Sequence, residues 1–100
     1  MPTDSKTEKG LKLDREGESR VGQDRPWNVI LWNDHVNMMA YVVFVLQRVF
    51  GFSQTQATEL MREAHHNGKA VVATEERERA ELHAAQLHGF GLQATIARAT

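Results

Sequence analysis

The spacing of apolar residues changes twice along the first half of the chain. From Trp27 to Asn33 the chain is apolar and rich in β-branched and aromatic residues, and Asn33-Asp34 closes the run with turn-forming side chains; this pattern predicts a strand. The period then lengthens. Met38, Val42, Val45, Leu46 and Val49 recur at helical spacing, so a helix is expected over 38–50, with Asn37 as its cap and Gly51 as its end. Ser53 followed by Gln56 has the form of a capping box and opens a second helix running to Asn67, where Gly68 supplies the exit. Its apolar stripe is Ala57, Leu60, Met61 and Ala64. Lys69 to Ala73 reads as a short strand, and Thr74 as the cap of a third helix with Glu75 and Glu76 in its first turn, ending by Gly89 or Gly91. Leu92 to Ala97 alternates and forms the last strand. The expected fold class is α+β: a β-α-α-β-α-β domain with a three-stranded antiparallel sheet and three helices packed on one face.

Composition divides the chain at about residue 25. Residues 1–25 carry six basic and six acidic side chains but few large apolar ones. Such a segment cannot offset an ordering entropy of about 1–2 kcal/mol per residue, so a disordered, charged N-terminal extension is expected over 1–25 and a core domain over 26–100. A net charge of -1 provides no basic field to steer nucleic acid. The absence of cysteine removes disulfides, thiolate catalysis and Cys-type zinc sites, and fits a reducing cytoplasm. No apolar run approaches the roughly 20 residues of a membrane span, and the first residues lack a signal-peptide core. A soluble intracellular protein is expected.

Three residues stand out as candidate chemistry. Asn33 and Asp34 end an apolar strand, and His65 lies one helical turn beyond Met61, on the side of Met61 and Ala64. A histidine on an apolar face is most often a core residue, and Asn-Asp at a strand end often makes only a turn. Together they offer an amide carbonyl, a carboxylate and an imidazole lone pair, three acceptors that match the three donors of an ammonium. Met39, Val42 and Met61 can supply an adjoining apolar wall. Acceptors beside an apolar wall suit a peptide N-terminus with a large hydrophobic first residue. His66 points about 100° away from His65. Enzymatic machinery is missing: Ser5 and Ser19 sit in the tail and Ser53 at a cap, and no glycine-rich phosphate loop occurs. A rival reading is a small metal-binding protein using Asp34, His35 and His65. No HExxH pattern supports it, and His83 and His88 have poor chelating spacing.

The run Val29-Ile30-Leu31-x-Asn33-Asp34, then Met39, Val45-Leu46, Ala57-Thr58-x-Leu60-Met61, His65-x-x-Gly68-Lys69-Ala70 and Ala80-Glu81 resembles the ClpS family, in order, from about Trp27 to Ile96. ClpS proteins are adaptors of bacterial Clp proteases. The resemblance implies a non-enzymatic, cytoplasmic monomer without cofactor. It would bind N-degrons beginning with Leu, Phe, Tyr or Trp and deliver them to a Clp AAA+ unfoldase. It implies that Asn33, His65 and an acid beside Asn33 hold the substrate α-amino group. Asn37, Met39, Val42, Met61, Ala64 and Leu92 would line the side-chain pocket, with Met39 as a gate against β-branched residues. Glu78, Glu81 and His83 would dock on the unfoldase N-terminal domain, and the N-terminal extension would be gripped by its pore. The chain departs from the pattern in four places. His35 stands where many members have a second acid, so the amine site is expected to comprise Asn33, Asp34, His35 and His65. Met38 replaces a usual proline, Ala64 a usual valine and His83 a frequent lysine. A docking module that modulates the unfoldase without binding N-degrons is the remaining alternative.

Overall fold

The computed structural model describes residues 26–99, so the extension expected over 1–25 lies outside the described residues. The elements follow the expected order: β1 (Trp27–Trp32), α1 (Met39–Phe50), α2 (Gln54–Asn67), β2 (Lys69–Glu75), α3 (Arg77–Gly89) and β3 (Ala94–Arg98). They form an antiparallel sheet in the order β2-β1-β3, with β1 in the centre. The fold is α+β, as expected.

Alternation along the strands determines which face is covered. Val29 and Leu31 of β1, Ala70 and Val72 of β2 and Ala94 of β3 point to one side and are buried. Against them pack Val42, Val45 and Leu46 of α1, Ala57, Met61 and Ala64 of α2, and Ala80 and Leu87 of α3. The opposite face carries Trp32, Val71 and Thr95, all exposed. A register shift between Val29 and Ile30 leaves Val72 as the extra residue of β2.

Two caps differ from expectation. Asn37 does not cap α1; the cap position is Met38, which makes no side-chain capping bond. Asn37 is drawn instead to Asp34 and Gly91. Thr74 does not cap α3 either. The β1–β2 ladder continues as far as Trp27 opposite Glu75, so Thr74 is a strand residue whose hydroxyl donates to Asn28 Oδ1 at 2.7 Å. Glu76 takes the cap position without a side-chain bond, and Glu78 is the acid in the first turn. Ladder pairing satisfies the backbone of this segment more fully than an early helix start could. The expectation for α2 holds: Ser53 Oγ accepts from Gln56 N–H at 3.1 Å, and Gly68 leaves the helix at φ 90°, a conformation glycine adopts without steric cost. β3 begins at Ala94, with Leu92 and Gln93 in the preceding turn.

Candidate functional site

The end of β1, the loop into α1 and the last turns of α2 meet at a single depression. Two bonds establish the meeting. Asn33 N–H donates to the Gly68 carbonyl at 2.9 Å, joining the strand end to the exit of α2, and Trp32 N–H donates to Gln93 at 3.0 Å, joining it to the turn before β3. The depression is lined by Leu31, Trp32, Asn33, Asp34, Asn37, Met39, Val42, Met61, Ala64 and His65 and encloses about 270 Å³ of empty space, including the solvent at its open mouth. Val42, Met61 and Ala64 are buried and form its apolar wall, while Met39 is half exposed at its rim.

The polar side has two kinds of residue. The first shapes the loop. Asp34 Oδ1 accepts from the backbone N–H of Val36 at 2.7 Å and of Asn37 at 2.8 Å, and Oδ2 accepts from Asn37 Nδ2 at 2.8 Å. Partial burial pushes the Asp34 carboxyl upward, but the bonds from the Asn37 side chain and backbone and from Val36, with the charge of His35, outweigh it and hold the group below its ordinary 3.8. Asn37 Nδ2 also donates to the Gly91 carbonyl at 3.0 Å and so fastens this loop to the turn before β3. Asp34 is therefore a charged post of the loop, with one lone-pair position of Oδ2 left for a ligand.

The second kind is unengaged. Among the described residues, the side chains of Asn33 and His65 have no hydrogen-bond partner within the protein. His65 is exposed at the rim of the depression, with its ring edge-on to His66 at 5.3 Å. Its position excludes the core-histidine reading. It also stands in the last turn of α2, where the negative end of the helix dipole favours a cation. The site thus combines two acceptors without partners among the described residues, a carboxylate, a helix C-terminus and an apolar wall.

The remaining candidates separate. His35 is exposed and does not line the depression. Leu92 is buried but lines a second groove, with Trp32, His88, Gln93, Ala94 and Thr95. Trp32 borders both depressions, and nothing in the sequence beyond its place at the strand end marked it as a site residue. The three docking candidates do not share a face. Glu78 and Glu81 are exposed one turn apart, and Glu81 pairs with Arg77 at 3.0 Å. His83 instead turns inward: its side chain is 13% exposed, its Nδ1 meets Glu75 Oε2, and its ring lies 4.6 Å from that of Phe50. Among the described residues, no three His, Asp or Glu side chains converge closely enough to hold a metal ion, so Asp34, His35 and His65 do not form a ligand set. No helix among them is long and apolar enough to cross a membrane.

The chain matches known proteins over most of its length. The family model described as "ATP-dependent Clp protease adaptor protein ClpS" covers residues 22–95. An ATP-dependent Clp protease adapter protein ClpS from Mycolicibacterium paratuberculosis is 42% identical over 95% of this chain and 90% of its own length. One from Mycobacterium tuberculosis is 48% identical over 87% of this chain and 86% of its own. Among solved structures, Agrobacterium tumefaciens ClpS2 bound to L-phenylalaninamide superposes with a TM-score of 0.70 at 32% identity, over 76% of this chain and 99% of that one. The chain therefore belongs to the ClpS family of adaptors of ATP-dependent Clp proteases.

Proposed function

We propose that this protein is an N-degron adaptor that binds the free α-amino group and large hydrophobic first residue of a protein and delivers it to a Clp-family AAA+ unfoldase. The observation that carries the reading is that Asn33 and His65, acceptors without partners among the described residues, line one depression with the Asp34 carboxylate and an apolar wall. L-phenylalaninamide, the ligand bound by the Agrobacterium relative, has the matching shape: an amine at one end and a phenyl ring at the other. In this reading the ammonium sits between Asn33, His65 and the free position of Asp34 Oδ2. A Leu, Phe, Tyr or Trp side chain enters among Met39, Val42, Met61 and Ala64. Flexible methionines let one pocket take several shapes.

The protein acts without catalysis, as a cytoplasmic monomer. Glu78 and Glu81 belong to the face that meets the unfoldase N-terminal domain, while His83 faces inward to Glu75 and Phe50. Residues 1–25 serve as the arm that the unfoldase grips; deleting residues 1–20 should leave peptide binding intact and stop delivery.

The decisive experiment is a titration with a fluorescent peptide beginning with Phe, free and N-acetylated. The free peptide binds, and acetylation, which removes the charge and two donors, abolishes binding. Equal affinity for both forms would refute the amine site.

A further inference from the structure

We propose that Lys69, carried over the indole of Trp32, forms a subsite for an acidic side chain at the second residue of the substrate; this rests on the N-degron reading above. Trp32 lines both the first-residue depression and the groove of His88, Leu92, Gln93, Ala94 and Thr95. The indole is held in place: its Nε1 donates to Thr95 Oγ1 at 2.9 Å, and Lys69 Nζ lies 5.5 Å from the ring centre. A peptide whose first side chain fills the depression has its second Cα only about 3.8 Å from the first. Trp32 lines both the depression and the groove, so a chain that leaves over its indole carries its second side chain past Lys69.

Charge decides what that side chain should be. Lys69 lies opposite Trp32 in the β1–β2 ladder, next to the Gly68 carbonyl that accepts from Asn33. Among the described residues it has no carboxylate partner, since the ion pairs there join Arg77 to Glu81, and Arg79 and His83 to Glu75. The groove beyond Trp32 contains no acidic residue. Asp34, the acid of the first-residue depression, keeps its charge but is fixed in the loop by Val36 and Asn37, with one Oδ2 position left for the amine. At the next position stands His35, which adds no negative charge. A second-residue Asp or Glu therefore meets an ammonium without a carboxylate partner among the described residues, and a second-residue Lys meets repulsion.

The test uses C-terminally amidated fluorescent peptides beginning Phe-Ala, Phe-Glu and Phe-Lys, titrated at low salt against the full chain. Phe-Glu should bind about threefold more tightly than Phe-Ala, and Phe-Lys about threefold more weakly, the range expected of an exposed ion pair. In Lys69→Gln the three peptides should bind alike, whatever their common affinity, and Lys69→Arg should restore the order. Moving the Glu to the fifth position should remove its advantage. An order that persists in Lys69→Gln, an equal gain at position five, or no order in the native chain would overturn the subsite while leaving the N-degron reading intact. Failure of even Phe-Ala to bind would remove both.

Discussion

Replacing Asn37 tests the architecture of the site directly, because one amide joins its two halves. Asn37 Nδ2 donates at 2.8 Å to Asp34 Oδ2 and at 3.0 Å to the Gly91 carbonyl. The first is a bond to a charged acceptor in a partly buried place, worth about 1.5–2 kcal/mol after allowance for its partial exposure. The second, more exposed, adds roughly 0.5 kcal/mol. Asn37→Ala should then destabilise the protein by about 2 kcal/mol. For a core of this size that lowers Tm by about 10 °C and shifts the urea midpoint by roughly 1–2 M. Asn37→Asp should do worse than alanine, because it places a second carboxylate against Asp34 and offers Gly91 no donor. Loosening the loop also removes the ordering of Asn33 and Asp34, so a Phe-initiated peptide should bind about tenfold more weakly. Urea unfolding and peptide titration on the three proteins check both effects. A loss below about 0.5 kcal/mol for Asn37→Ala, or an aspartate variant as stable as the alanine one, would show that the clasp does not hold the loop.

Other expectations follow from single contacts. The Asp34 carboxyl is held below its ordinary value, so its contribution to stability is complete above about pH 4 and is lost as pH falls through its folded value; the stability gap between the native protein and Asp34→Asn should narrow below pH 4, measured by urea unfolding at several pH values. Met39→Ala should widen the half-exposed rim and admit Ile- or Val-initiated peptides, read as a gain in their affinity relative to Phe; unchanged preference would remove Met39 as the gate. Leu46, fully buried among the helices, should cost about 2–5 kcal/mol when changed to alanine. Glu75→Ala strips the partner from an inward-facing His83 and should destabilise by about 1–3 kcal/mol.

The element order was legible because each segment carries its own period and stop signal. The β-branched run of β1, the stripe Val42, Val45, Leu46, Val49 and the Ser53 cap each needed only near neighbours. The misplaced caps show where local reading ends. Asn37 and Thr74 are both good capping residues, and both were taken by partners distant in sequence: Gly91 in the turn before β3, and Asn28 in β1. A cap bond is available to any such side chain, so the residue that wins is set by the sheet register and the loop packing, neither of which a single segment encodes.

The candidate site follows the same division. The acceptors Asn33, Asp34 and His65 were visible as residue types, and their convergence depended on one long-range bond, Asn33 to the exit of α2. What composition could not reveal is the state of each acceptor. Asp34 and Asn33 are neighbours of similar size, yet Asp34 bonds to the loop it shapes through both oxygens, and Asn33 has no side-chain partner among the described residues. His35, in contrast, is exposed and does not line the depression. Under the N-degron proposal, the negative charge offered to the amine is that of the fixed Asp34, with the C-terminus of α2 beside it. Lys69, over the Trp32 indole, is the cation that the same proposal sets against the second residue.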